Sequence, residues 1–201
     1  TLFAEVSDLT PEEIRRVTDV CHLGSVHGTL AALRHMRPQD RGVIVQVGSA
    51  LAYRAIPLQA AYGAAKHAAR GFHDALRVEL RHDASAIRVT SVHLPGVNTP
   101  QFAWARSRFA HHPRPAGGGV IEPEAAAAAI LRAIDRPHRE LWVGLQTAFV
   151  ILADMLAPSL ADRYLARTAV EGQFGERAVP PGRPGNLDEP VAAHATRGPF
   201  S

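Results

Sequence analysis

Val43-Ile44-Val45-Gln46-Val47 is apolar on both faces of an extended chain and rich in β-branched side chains. Such a strand needs cover above and below, the condition met inside the parallel sheet of an α/β domain. Flanking segments with helical periodicity supply that cover. Before it, Thr10-Pro11-Glu12-Glu13 combines an N-cap threonine, a proline at the first helical position and a glutamate at the third, and opens a helix expected to reach Met36. Gly24 and Gly28 lie inside it, four apart, where missing side chains would let another helix or a ligand approach. Residues 37–42 read as a turn. After the strand, residues 59–81 form a second long helix with Tyr62, Lys66, Ala69 and His73 along one stripe. A second strand spans residues 86–94 and stops at Pro95-Gly96, a third helix spans 122–135, and a short strand spans 140–144. Alternation of helix and strand predicts right-handed crossovers and a parallel sheet.

At 201 residues the chain has the size of a single domain, and 46% hydrophobic residues suffice for one core. Net charge is only +3, with the arginines scattered among acids and histidines, so no nucleic-acid footprint is expected. One cysteine, Cys21, excludes an internal disulfide framework and fits a reducing, cytoplasmic setting. No apolar run approaches the length of a membrane span. His111-His112 has no carboxylate or cysteine at ligand spacing, and no metal is expected. Residues 98–119 read as a mobile lid ending in three glycines, residues 146–170 as a helical extension whose apolar run 148–156 would bury in the core, or else in an oligomer contact, and residues 171–201 as an irregular or disordered tail.

Lys66 is the only lysine, four residues after Tyr62. On a helix that spacing puts ammonium and phenol on one face. A neighbouring cation favours phenolate and is expected to pull the tyrosine pKa down from about 10. Ser49 precedes Tyr62 by thirteen residues and follows the buried strand, at the carboxyl end where open α/β sheets bind ligands.

The segments Arg41–Ala50, Ala61-Tyr62-Gly63-Ala64-Ala65-Lys66 and Val92-His93-Leu94-Pro95-Gly96 together resemble the short-chain dehydrogenase/reductase family. The resemblance covers residues 1–145 and implies a partial Rossmann-like, doubly wound parallel sheet with flanking helices. It implies catalytic roles for Ser49, Tyr62 and Lys66, with Tyr62 as the general acid or base, Ser49 holding the substrate oxygen and Lys66 binding the nicotinamide ribose. Tyr62, Lys66, Pro95, Gly96 and Thr99 would contact NAD or NADP, although Thr99 stands three residues after Gly96 where the family's threonine usually stands four after. Phe102, Trp104 and Phe109 would meet a small, apolar substrate, and the two long helices would form a homo-oligomer contact.

Two departures accompany the resemblance. Cys21 falls where many relatives carry an asparagine of a proton relay, and a thiol cannot reproduce a carboxamide's donor and acceptor pattern, so Cys21 reads as a packed core thiol. No G-x-G-x-x-G run occurs anywhere, so the sequence is expected to start after the dinucleotide loop, leaving the first strand with an unpaired edge. The expected activity is hydride transfer between NAD(P) and a carbonyl or secondary alcohol. The competing expectation is a catalytically silent, truncated relative acting as a binding or assembly module.

Overall fold

The capping box at Thr10 positions the first helix. Thr10 Oγ1 accepts the Glu13 amide at 3.2 Å, and a Glu13 carboxylate oxygen accepts the Thr10 amide at 3.0 Å. Arg108 donates to both Glu13 oxygens at 2.8 Å. Burial alone would raise the Glu13 carboxyl, but the Thr10 amide and Arg108 outweigh it and hold the group below its usual range. Thr10→Ala is expected to cost about 1 kcal/mol, read as a lower urea midpoint at unchanged slope. An unmoved midpoint would mean that Arg108 alone anchors this helix start.

This computed structural model describes residues 1–117, 119–180, 183, 185–191 and 195–200. Strand β1 (Leu2–Phe3) leads into helix α1 (Pro11–Thr18), which continues through a π turn at Asp19–Leu23 into α2 (Gly24–Met36). Strand β2 (Val43–Ser49), helix α3 (Ala60–His82) and strand β3 (Arg88–Leu94) follow. Then come β4 (Gly96–Val97), α4 (Gln101–Trp104), β5 (Arg106–Ser107), β6 (His111–Pro113) and β7 (Val120–Ile121). Helix α5 (Pro123–Asp135), β8 (Glu140–Trp142), α6 (Leu145–Leu156), α7 (Pro158–Thr168) and β9 (Phe174–Ala178) complete the order.

The central sheet is parallel, in the order β2, β3, β8. Its register pairs Ile44 with Val89, Gly48 with His93, Ser49 with Leu94 and His93 with Trp142. One face packs on α2 and α3 through Leu33, Ile44, Leu76, Leu80, Ile87 and Val89, and the other packs on α5 through Val92, Leu94, Ala126 and Ala133. Burial of each large aliphatic contributes roughly 1.5–3 kcal/mol. This is the mixed α/β arrangement with flanking helices that the strand pattern predicts. The outer edge of β2 meets no strand among the described residues.

Several expectations are corrected. The segment 98–119 is not a bare lid: it holds α4 and short strands, because Phe102 is buried against Phe3, Leu58 and Ala105. Its three-glycine run includes Gly118, which lies outside the described residues. Gly28 gives no close approach, since a Cβ there would meet open space. Helix α6 buries only Thr147 and Ile151 and turns most of its apolar side chains outward, against the expectation of a core helix. At the start of the tail, Glu171–Gln173 forms a 3-10 turn and β9 pairs antiparallel with β6, since Phe174 has Phe109 to stack on at 4.8 Å.

Candidate active site

Ser49 ends β2, beside the point where β3 gives way to Pro95-Gly96. Its Oγ accepts the Leu51 amide at 3.1 Å, which starts a 3-10 turn at Ala50–Ala52 and leaves the hydroxyl proton free for another acceptor. Helix α3 then runs back along the sheet, carrying Tyr62 in its first turn and Lys66 one turn later. Gly63 permits that approach, because a Cβ there would lie 2.8 Å from the Ala55 Cβ.

Tyr62 packs against a cluster of Leu2, Ala4, Val17, Ala61 and Ala65. Burial pushes its phenol up to about 12, the Cys21 thiol adds to the rise, and the Ser49 hydroxyl beside it pulls the other way. Burial lowers the Lys66 ammonium, which donates to the Val47 carbonyl at 3.0 Å and lies 5.6 Å from the Tyr62 ring centre. The expected depression of the Tyr62 pKa is therefore corrected. With the lysine pKa lowered and the tyrosine pKa raised, the ammonium proton leaves first, so no cation remains to favour phenolate.

Cys21 lies at the centre of the π turn, half-buried, packed on the same apolar cluster as Tyr62 and near enough to bear on both Tyr62 and Lys66. Pro95 and Gly96 leave the sheet next to Ser49, with Gly96 packed against Pro115. Thr99 sits one step further out, its hydroxyl turned to the Val97 carbonyl at 3.5 Å. Residues 198–200 lie over that loop: the Gly198 amide donates to the Asn98 carbonyl at 3.1 Å and the Phe200 amide to Asn98 Oδ1 at 3.0 Å. Phe102 packs on Phe200 at 5.5 Å and is buried, so it does not face a cleft as expected, while half-buried Phe109 packs on Phe174 at 4.8 Å. Trp104 is half-buried.

The sequence profile of the short chain dehydrogenase family matches residues 1–108, more than half of the chain. The chain belongs to the short-chain dehydrogenase family. Among its relatives, the uncharacterized oxidoreductase YxnA of Bacillus subtilis is 31% identical over 180 residues, covering 89% of this chain and 51% of that protein. Dehydrogenase/reductase SDR family member 7B of Xenopus tropicalis is 31% identical over 159 residues, covering 77% and 51%. The chain thus spans about half the length of these curated relatives. Among solved structures, a short-chain dehydrogenase from Streptomyces avermitilis superposes with a TM-score of 0.64 at 20% identity, covering 83% of this chain and 66% of that one. A Burkholderia cenocepacia short chain dehydrogenase, solved with NADP, superposes at 0.63 and 24% identity, covering 81% and 63%. These two likenesses concern the fold.

This family member carries residues around Ser49 that sequence reasoning missed. His93, fully buried, donates from Nδ1 to the Ser49 carbonyl at 3.1 Å, and burial lowers its pKa, keeping the ring neutral. A Cβ on Gly48 would lie 2.8 Å from that nitrogen, so glycine is required there for the ring to reach Ser49. Tyr53 packs edge-on to His93 at 5.0 Å and donates to Glu140, while Trp142 donates to the same carboxylate at 3.2 Å. Burial, then the Glu140 contact, raises the Tyr53 phenol to about 12. The signal was partly visible: a histidine inside an apolar strand needs a partner, and its ring reaches past Gly48, its register partner, to the Ser49 carbonyl. At the other end of this segment, Gln59 immediately before α3 donates to buried Gln173 at 2.7 Å, which donates in turn to the Pro57 and Ala169 carbonyls. No sequence signal links residues 114 apart.

Proposed function

We propose that this chain transfers a hydride between NAD or NADP and a carbonyl or secondary alcohol, with Ser49, Tyr62 and Lys66 as its catalytic residues. Family membership supports the reaction class. The observation that carries the assignment is the Tyr62 phenol beside the Ser49 hydroxyl, with Lys66 one helical turn on, at the carboxyl end of a parallel sheet. In reduction Tyr62 donates its proton to the carbonyl oxygen, and in oxidation it takes the alcohol proton. Ser49 donates a hydrogen bond to the same oxygen and stabilises charge developing there. Lys66 commits one ammonium hydrogen to Val47 and keeps two for a ribose hydroxyl, so the nicotinamide end of the cofactor fits these residues, with Pro95, Gly96 and Thr99 alongside. For the pyrophosphate end the sequence offers no glycine-rich cradle, and no residue is assigned to it. The bound cofactor supplies or accepts the hydride.

With Phe102 buried, half-buried Trp104 and Phe109 are the members of that aromatic trio we assign to an apolar substrate. Exposed Val20 in the π turn, Leu30 on α2 and Val78 on α3 support a homo-oligomer contact through the two long helices.

Titration of the purified chain with NADH and with NADPH, followed by nicotinamide fluorescence, tests the reading. Saturable enhancement that Lys66→Ala weakens is the expected result. No change at millimolar cofactor would remove hydride transfer for this chain and favour the silent binding or assembly module.

A further inference from the structure

Leu145, Phe149, Leu152 and Leu156 stand four, seven and eleven residues apart along α6, a single stripe opposite buried Thr147 and Ile151. Leu145 is 91% exposed, Leu156 82% and Phe149 72%. Helix α7 continues the face with exposed Leu160 and Tyr164, one turn apart. Exposed apolar side chains gathered this way mark an interaction surface rather than ordinary scatter.

The charges around the stripe select its partner. The two acids on the hairpin are already paired, Asp154 accepting from Arg54 at 3.0 Å and Asp162, largely exposed, held by the same guanidinium. Arg163 and Arg167 are exposed, fall on the same outward side of α7 as Leu160 and Tyr164, and have no carboxylate partner among the described residues. A second copy seated on this face about a two-fold axis would bring these arginines towards their own images. An anionic surface would complement them. No helix among the described residues is long and apolar enough to cross a membrane, which leaves lying on the surface as the geometry for a lipid partner.

We propose that the α6–α7 hairpin docks this protein on the surface of an anionic phospholipid membrane, with the α6 stripe sunk among the acyl chains and Arg163 and Arg167 at the headgroups. Tyr164, with an apolar ring and a polar tip, suits the boundary between the two. Neither the docking face nor its partner depends on the assigned chemistry at Tyr62.

Flotation of the full chain with vesicles of phosphatidylcholine containing about 30 mol % phosphatidylserine, at about 0.05 M salt, tests this. The protein is expected to rise with these vesicles and to stay below with phosphatidylcholine alone. Phe149→Glu with Leu156→Glu is expected to lower the partition coefficient at least about tenfold. Arg163→Glu with Arg167→Glu is expected to lower it roughly tenfold or more, with a weaker salt dependence. Leu131→Glu, an exposed apolar site on α5, should change nothing. All these positions are exposed, so circular dichroism should report intact folds. Failure of the parent chain to float, or flotation indifferent to both pairs of substitutions, would overturn the proposal. So would a dimer in the lipid-free fraction that Phe149→Glu dissociates, which would make the face a contact between copies.

Discussion

Replacing Tyr62 by phenylalanine is expected to lower carbonyl reduction by roughly 10²- to 10⁴-fold, in kcat more than in KM, while leaving the unfolding free energy within about 1 kcal/mol of the parent. The ring stays packed against Leu2, Val17 and Ala65, so only the proton donor is removed. The same geometry sets the pH behaviour. Because burial holds the phenol protonated to about 12, reduction should not lose its acid anywhere between neutral pH and pH 10. Oxidation needs the opposite protonation state and should accelerate as pH rises across that range. A variant that reduces carbonyls as fast as the parent, or a reduction rate that collapses above pH 8, would remove Tyr62 from the role.

Arg77→Ala should destabilise the fold far more than loss of the Thr10 cap, by about 3 kcal/mol, or a fall in Tm of roughly 6–12 °C. The guanidinium is 6% exposed and ties three elements together. It donates to Asp74 at 2.6 Å, to the Val89 carbonyl at 3.3 Å and to the Arg139 carbonyl at 3.2 Å. Removing it takes a donor from the Val89 and Arg139 carbonyls where α3, β3 and the turn before β8 meet, although the Arg139 carbonyl keeps the Ser91 amide at 3.2 Å. Asp74 keeps Arg139 at 2.9 Å and is partly exposed, which holds the cost at the lower end of the range for a broken buried pair. Denaturant melts of Arg77→Ala and Arg77→Met would separate lost hydrogen bonds from lost packing. If both variants melt with the parent, solvent satisfies those carbonyls and the tie contributes nothing.

The architecture was legible wherever local rules decide it. The Thr10 cap, the strand at Val43–Val47 and the stop at Pro95 each follow from backbone chemistry within a few residues, although of that strand's Val43–Val47 only Ile44 is buried and Val47 is exposed, against the expectation of cover on both faces. Ser49, Tyr62 and Lys66 were legible as a group because a strand end and a helix face are both periodic. What escaped was settled by distant partners. The Tyr62 pKa depends on how deeply Leu2 and Val17 bury it, which the four-residue spacing to Lys66 does not encode. Phe102 and Phe109 resembled lid residues because Phe200 and Phe174, their packing partners, are far away in sequence. An apolar α6 reads as core from composition, and only its contacts reveal the stripe facing water.

The clasp between Gln59 and Gln173 bears on the order in which this molecule can be made. The first turn of α3, which carries Tyr62, is braced by an amide that a ribosome supplies more than a hundred residues later. A nascent chain can pair β2 with β3 soon after both emerge, since their register spans only 45 positions. It cannot lock the entry to α3 until the segment beyond α7 arrives. Contacts of such sequence separation form late. During synthesis the pairing of β2 with β3 should therefore precede the bracing of the first turn of α3, which waits for Gln173.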